Sequence, residues 1–132
     1  MKRFVLYALL LPLYGLLGAC SVAEQAAYLE ISFAGEEELS PAQQTLVRRN
    51  LRALWNQATG RLTAPEPSPD VPRLRLVWET APGRVVLTAR APGPDTRPRR
   101  YTLRRGDTDL RRHLGVTAFL RQVDHDLADA TP

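Results

Sequence analysis

Arg73-Leu-Arg-Leu-Val-Trp-Glu-Thr-Ala-Pro-Gly-Arg-Val-Val-Leu-Thr-Ala-Arg90 decides the fold. Two alternating runs flank a tight turn. In the first, Leu74, Leu76 and Trp78 point one way, and Arg73, Arg75, Val77 and Glu79 the other. In the second, Val85, Leu87 and Ala89 oppose Val86, Thr88 and Arg90. A period of two is what a strand with one buried and one wet face requires. Ala81-Pro82-Gly83 supplies Pro and Gly in the order of a type II turn, so the stretch predicts an antiparallel hairpin.

Downstream, a Pro-rich loop over 91–98 leads to a further alternating run at Arg99–Arg105, with Tyr101 and Leu103 inward and Arg100, Thr102 and Arg104 outward. Gly106 breaks it, and Asp107 or Thr108 can cap a final helix. Val116, Phe119, Leu120, Val123 and Leu127 form that helix's apolar stripe. Leu110 and Leu114 fall off the stripe, which predicts a kink at Gly115 or a first turn that packs differently.

Upstream, Tyr28 to Phe33 alternates as another strand, with Leu29, Ile31 and Phe33 on one side. Ser40 is a suitable N-cap, Pro41 suits the first helical position, and Gln43 completes a capping box. The acidic run Glu36–Glu38 complements the positive end of that helix rather than forming a cation site. The helix runs to about Thr59, buries Leu46, Val47, Leu51, Leu54, Trp55 and Ala58, and stops at Gly60. Four prolines in 63–72 leave an extended loop that returns the chain across the domain.

The order strand, helix, three strands, helix predicts an α+β two-layer sandwich. Its four-stranded, mostly antiparallel sheet carries two helices on one face, and residues 28–130 form a single domain. Outward positions then gather Arg73, Arg75, Arg90, Arg100 and Arg104 on the open face of the sheet, an arrangement suited to an anionic ligand. The plainer reading of the same face is a solvated surface with cross-strand Arg–Glu pairs.

No catalytic constellation is legible. There is no nucleophile elbow, no phosphate-binding glycine loop and no dinucleotide fingerprint. His125 lies between Asp124 and Asp126 with Asp129 a turn on, but a zinc site wants three or four converging ligands and no third is evident. The expectation is a protein without enzymatic activity, without a metal and without a cofactor.

The first twenty residues differ from the rest. Lys2 and Arg3 precede an apolar run from Phe4 to Leu17, which is shorter than the roughly 20 residues a membrane span needs. The run ends in Leu17-Gly18-Ala19-Cys20, and Cys20 is the single cysteine. These residues resemble the lipobox of bacterial lipoproteins. The resemblance implies a signal peptide over 1–19 that is cut before Cys20, lipid on Cys20, and a short tether over 20–27 reaching about 20–25 Å. Removing the leader also lowers the formal charge from +4 to about +2 and leaves sixteen basic residues, all arginine.

From that resemblance follow the expected setting and role: a lipid-anchored envelope accessory or interaction protein at a membrane surface. Its partners would be the membrane, through Cys20, and an envelope protein, with no nucleic acid. The alternative is a binder of phospholipid or lipopolysaccharide phosphates through the arginine face. Ser21, which follows the cysteine, implies in the sorting pattern it resembles the periplasmic face of an outer membrane. The element order also loosely resembles the small lipoprotein of the lipopolysaccharide-export machinery, which sets two helices on a four-stranded sheet.

Overall fold

A computed structural model describes residues 26–130. The expected leader, Cys20 and the expected tether up to residue 25 lie outside these described residues. The elements are β1 (Tyr28–Gly35), α1 (Pro41–Thr59), β2 (Arg73–Ala81), β3 (Arg84–Arg90), β4 (Arg99–Arg104) and α2 (Asp109–Ala130). The four strands lie side by side in chain order. β1 pairs parallel with β2, and the remaining pairs are antiparallel. This is the expected α+β sandwich.

Local signals explain the boundaries. The Ser40 Oγ accepts from the Gln43 N–H at 3.2 Å, and the Gln43 Oε1 accepts from the Ser40 N–H at 2.9 Å, closing the capping box. Gly60 ends α1 in the left-handed conformation, φ 72°, donating its N–H to the carbonyl of Asn56. Thr108 caps α2, its hydroxyl accepting from the Arg111 N–H at 3.2 Å. Packing and pairing extend at least one residue ahead of β1. Ala27 is fully buried and bridges to Thr63, so it belongs to the domain and not to a tether.

Alternation delivers the core. Leu29, Leu74, Leu76 and Leu87 from the sheet meet Leu51 and Trp55 of α1 and Phe119, Leu120, Val123 and Leu127 of α2. Trp55 is fully buried, as a core anchor should be. Leu46 departs from expectation and is 48% exposed. At 100° per residue it lies roughly 160° from the centre of the Leu51–Trp55 face, and Val47 takes the inward position instead.

The last helix runs continuously through Gly115. Leu110 and Leu114 are exposed on it. Gly115 is a notch rather than a break: a Cβ there would lie 1.8 Å from the hydroxyl of Tyr101 and 2.5 Å from its ring carbon Cζ. The absent side chain lets α2 approach β4, with the Tyr101 ring against Phe119 at 5.9 Å between centroids. Salt bridges finish the helix layer. Arg61 pairs with Asp124, and Arg99 with Asp126, the Arg99 Nη2 lying 3.1 Å from Asp126 Oδ1. The hydrogen bond and charge of Asp126 hold the Arg99 guanidinium above its ordinary pKa.

Gly115→Ala sets two effects against each other. Helix propensity favours alanine by up to about 1 kcal/mol, whereas the clash with Tyr101 costs about 1–3 kcal/mol as an overpacked contact. The clash should win, lowering the urea midpoint. The loss should shrink in a Tyr101→Ala background, where the obstructing ring is gone.

Candidate functional site

The register places the expected arginines together. Arg73 and Arg75 on β2, Arg90 on β3, and Arg100 and Arg104 on β4 all alternate away from the buried positions and are exposed. Arg84, at the start of β3 opposite Arg104, joins them. Arg99 does not, because it is one residue out of phase and turns toward α2 to meet Asp126. The face thus carries six guanidiniums, with Glu30 and Glu79 as its acidic residues.

The pairing of these charges is informative. Glu30 lies opposite Arg75, with the Glu30 Oε2 3.3 Å from the Arg75 Nε, an exposed and therefore weak bridge. Arg75 also lies opposite Arg90, and Arg84 opposite Arg104. Glu79 lies opposite Val86 and beside Ala34, away from any arginine in register. Like charges directly across an antiparallel pair are destabilising, by something on the order of 0.2–1 kcal/mol each. A face shaped only for solubility would set Glu79 against arginine instead. The aromatic content is low: Tyr28 is half-buried, with the Arg73 guanidinium 5.6 Å from its ring centroid. Thr88 and Thr102 add hydroxyls between the cations.

A second feature lies on the helix side of the sheet. Trp78 faces the same way as Leu74 and Leu76, which are fully buried, yet it is only half-buried. The helices leave it uncovered at the floor of a groove of about 620 Å³ between α1, α2 and the β2–β3 turn. His113 lines this groove, and Glu37 is the carboxylate residue lining it. No hydrogen bond or ion pair joins the two among the described contacts, so they do not form an acid–base pair. His125 lies elsewhere on α2, exposed. Among the described residues no group of three or more His, Cys, Asp or Glu is placed to hold a metal ion.

Sequence reading missed Arg84 and the groove. Arg84 adjoins the Pro82-Gly83 turn, but it is in phase with Val86, Thr88 and Arg90, and counting back one step finds it. The groove depends on where two helices fail to cover a sheet, which no periodicity reports.

No family model and no curated protein matches the chain. Solved structures match the chain at low identity. A ribosomal subunit interface protein from Coxiella burnetii is 14% identical, with a TM-score of 0.39, over 76% of this chain and 94% of that one. The N-terminal domain of Protein Y from Thermus thermophilus is 15% identical, with a TM-score of 0.40, over 74% and 98%.

Neither structure is described as a membrane-anchored lipoprotein, and one is described as ribosomal. Four expectations are corrected on this finding: the envelope accessory role, the phospholipid or lipopolysaccharide ligand, the membrane and envelope partners without nucleic acid, and the outer-membrane location. The envelope role and its partners followed from Leu17–Cys20, the outer-membrane location from Ser21, and the lipid-phosphate ligand from joining that setting to the outward arginines. No helix among the described residues is long and apolar enough to cross a membrane.

Replacing Arg90 by Glu tests whether the arginine pairs are a structural cost. Arg90→Glu converts a repulsive cross-strand pair with Arg75 into an attractive one. Urea unfolding should show a gain of about 0.2–1 kcal/mol. A loss of stability would mean that Arg90 is held in place by the fold itself.

Proposed function

We propose that this domain is a non-catalytic module that grips the phosphate backbone of double-stranded RNA with the open face of its sheet. The observation that carries this reading is arginine set opposite arginine, at Arg75–Arg90 and Arg84–Arg104, on a face whose acidic residues leave most of the guanidiniums without a counter-charge. A polyanion turns that local repulsion into binding energy, and arginine's planar fork suits phosphate.

The lack of an exposed aromatic pair on the face favours backbone over base recognition. Proteins that read unpaired bases stack them on rings. The shape of the face favours RNA over DNA. Four strands spaced about 4.8 Å apart make a platform roughly 14 Å across between outer strands, wider than the B-form major groove of about 12 Å. The wide, shallow minor groove of an A-form helix accepts a flat platform. Tyr28, clamped under Arg73, stays part of the platform's edge.

Backbone binding of this kind is salt-dependent, the log–log slope growing by nearly one unit for each duplex phosphate neutralised. A labelled RNA duplex titrated at several salt concentrations should bind with a steep negative slope and little sequence preference. Arg75→Ala and Arg100→Ala should each flatten the slope by about one unit, and the double reversal Arg75→Glu with Arg100→Glu should abolish binding. A DNA duplex of the same sequence should bind more weakly. Absence of duplex binding at low salt, or slopes unchanged in the variants, would overturn the proposal.

A further inference from the structure

We infer that the groove between the helices is a separate binding site for a small amphipathic carboxylate, one with a straight apolar tail. Its size, about 620 Å³, is within the usual range of small-molecule sites. Its floor is apolar: Leu54 of α1, Trp78 and Leu103 of the sheet, and Val116 of α2. Trp78 and Leu103 are partly exposed although they point to the helix side, so apolar surface is presented to the groove instead of being packed away.

The rim is cationic. Arg84, Arg104, Arg105 and Arg112 line it, against Glu37 alone as a carboxylate residue. Arg112 is set in position by the backbone: its Nη2 donates to the carbonyl oxygens of Arg104 at 3.2 Å and Arg105 at 3.0 Å. Those contacts spend no carboxylate, and among the described ion pairs none involves Arg84, Arg104, Arg105 or Arg112. A guanidinium fixed by neutral carbonyls keeps its full charge for an anion, and its orientation is settled before the anion arrives.

The two halves of the groove select the ligand together. An inorganic anion would leave the Trp78 and Leu103 surface wet. A neutral hydrocarbon would leave the arginines without a counter-ion. A carboxylate head at Arg105 and Arg112 with an alkyl tail laid across Trp78 satisfies both. The apolar N-terminal run is a poorer occupant, since it carries Lys2 and Arg3 toward a basic rim and β1 begins at the end of the sheet away from the β2–β3 turn. The site is independent of the RNA-binding face except that Arg84 and Arg104 border both.

Calorimetry of the full chain with dodecanoate, below the concentration at which it forms micelles, tests the inference. Saturable binding to one site is expected. Decanoate should bind about tenfold more weakly, as expected for two methylenes left out of an apolar groove. Dodecyltrimethylammonium, with the same tail and the opposite charge, should not bind. Arg105→Glu, an exposed change beyond the end of β4, should weaken dodecanoate at least tenfold with the urea midpoint unchanged. Leu54→Ala should also weaken dodecanoate, from the apolar side, with some loss of stability because Leu54 packs against the core. Equal binding of the ammonium and the carboxylate, no dependence on tail length, or wild-type affinity in Arg105→Glu would each overturn the assignment. RNA-duplex binding measured on Arg105→Glu separates the two sites, because that arginine lies outside the strands of the open face.

Discussion

The parallel pairing of β1 with β2 is the constraint on which the rest depends. Parallel neighbours cannot be joined by a tight turn, so the chain must leave the sheet edge, travel its length and return. α1 and the proline-rich segment after Gly60 are that return path. The register is continuous from Tyr28–Arg73 to Gly35–Thr80. Thr80 fastens its far end: its hydroxyl donates to the Glu37 carbonyl at 2.6 Å and accepts the Glu37 N–H at 3.1 Å. Thr80 is the buried polar residue among those described, and these bonds are what make its burial tolerable. With α1 committed to one side and α2 packed beside it, the opposite side of the sheet is left to water and is free to carry charge.

That division of labour explains why the two faces look so different. On the helix side, leucines and Trp55 are buried, and a methyl added at Gly115 would run into the Tyr101 ring. On the open side, arginine faces arginine across neighbouring strands, and stability is given up there. The helix layer has its own incomplete corner, where Trp78 is left half-covered beneath a ring of cations. Both departures from tight, neutral packing gather positive charge, and they meet at Arg84 and Arg104.

The strands were legible because their alternation is clean, whereas the register was not, since a slip of two residues keeps every side chain on the same face. Leu74, Leu76 and Leu87 could be placed inward and Arg73, Arg75 and Arg100 outward from a period of two alone. The caps at Ser40 and Gly60 were equally plain, because each has a specific hydrogen-bonding or conformational reason. Leu46 was misplaced by being grouped with its neighbour Val47, although at 100° per residue it falls on the opposite side of α1 from Leu51 and Trp55. Gly115 read as a breaker because the feature that explains it, the Tyr101 ring, lies on another element. The groove was invisible for the same reason. Setting and partners were inferred from the first twenty-one residues, whose resemblance to a lipoprotein leader says nothing of what the arginine face of the folded domain meets.

The central claim is that the open sheet face, and not the helix layer, meets a phosphate polymer. Backbone amide chemical shifts followed while an RNA duplex is added test it most directly, residue by residue. Shifts should concentrate on β2, β3 and β4 around Arg75, Arg90 and Arg100 and fade as salt is raised, with the buried and outer faces of α1 and α2 unchanged. Shifts confined to the helices, or none at low salt, would contradict it.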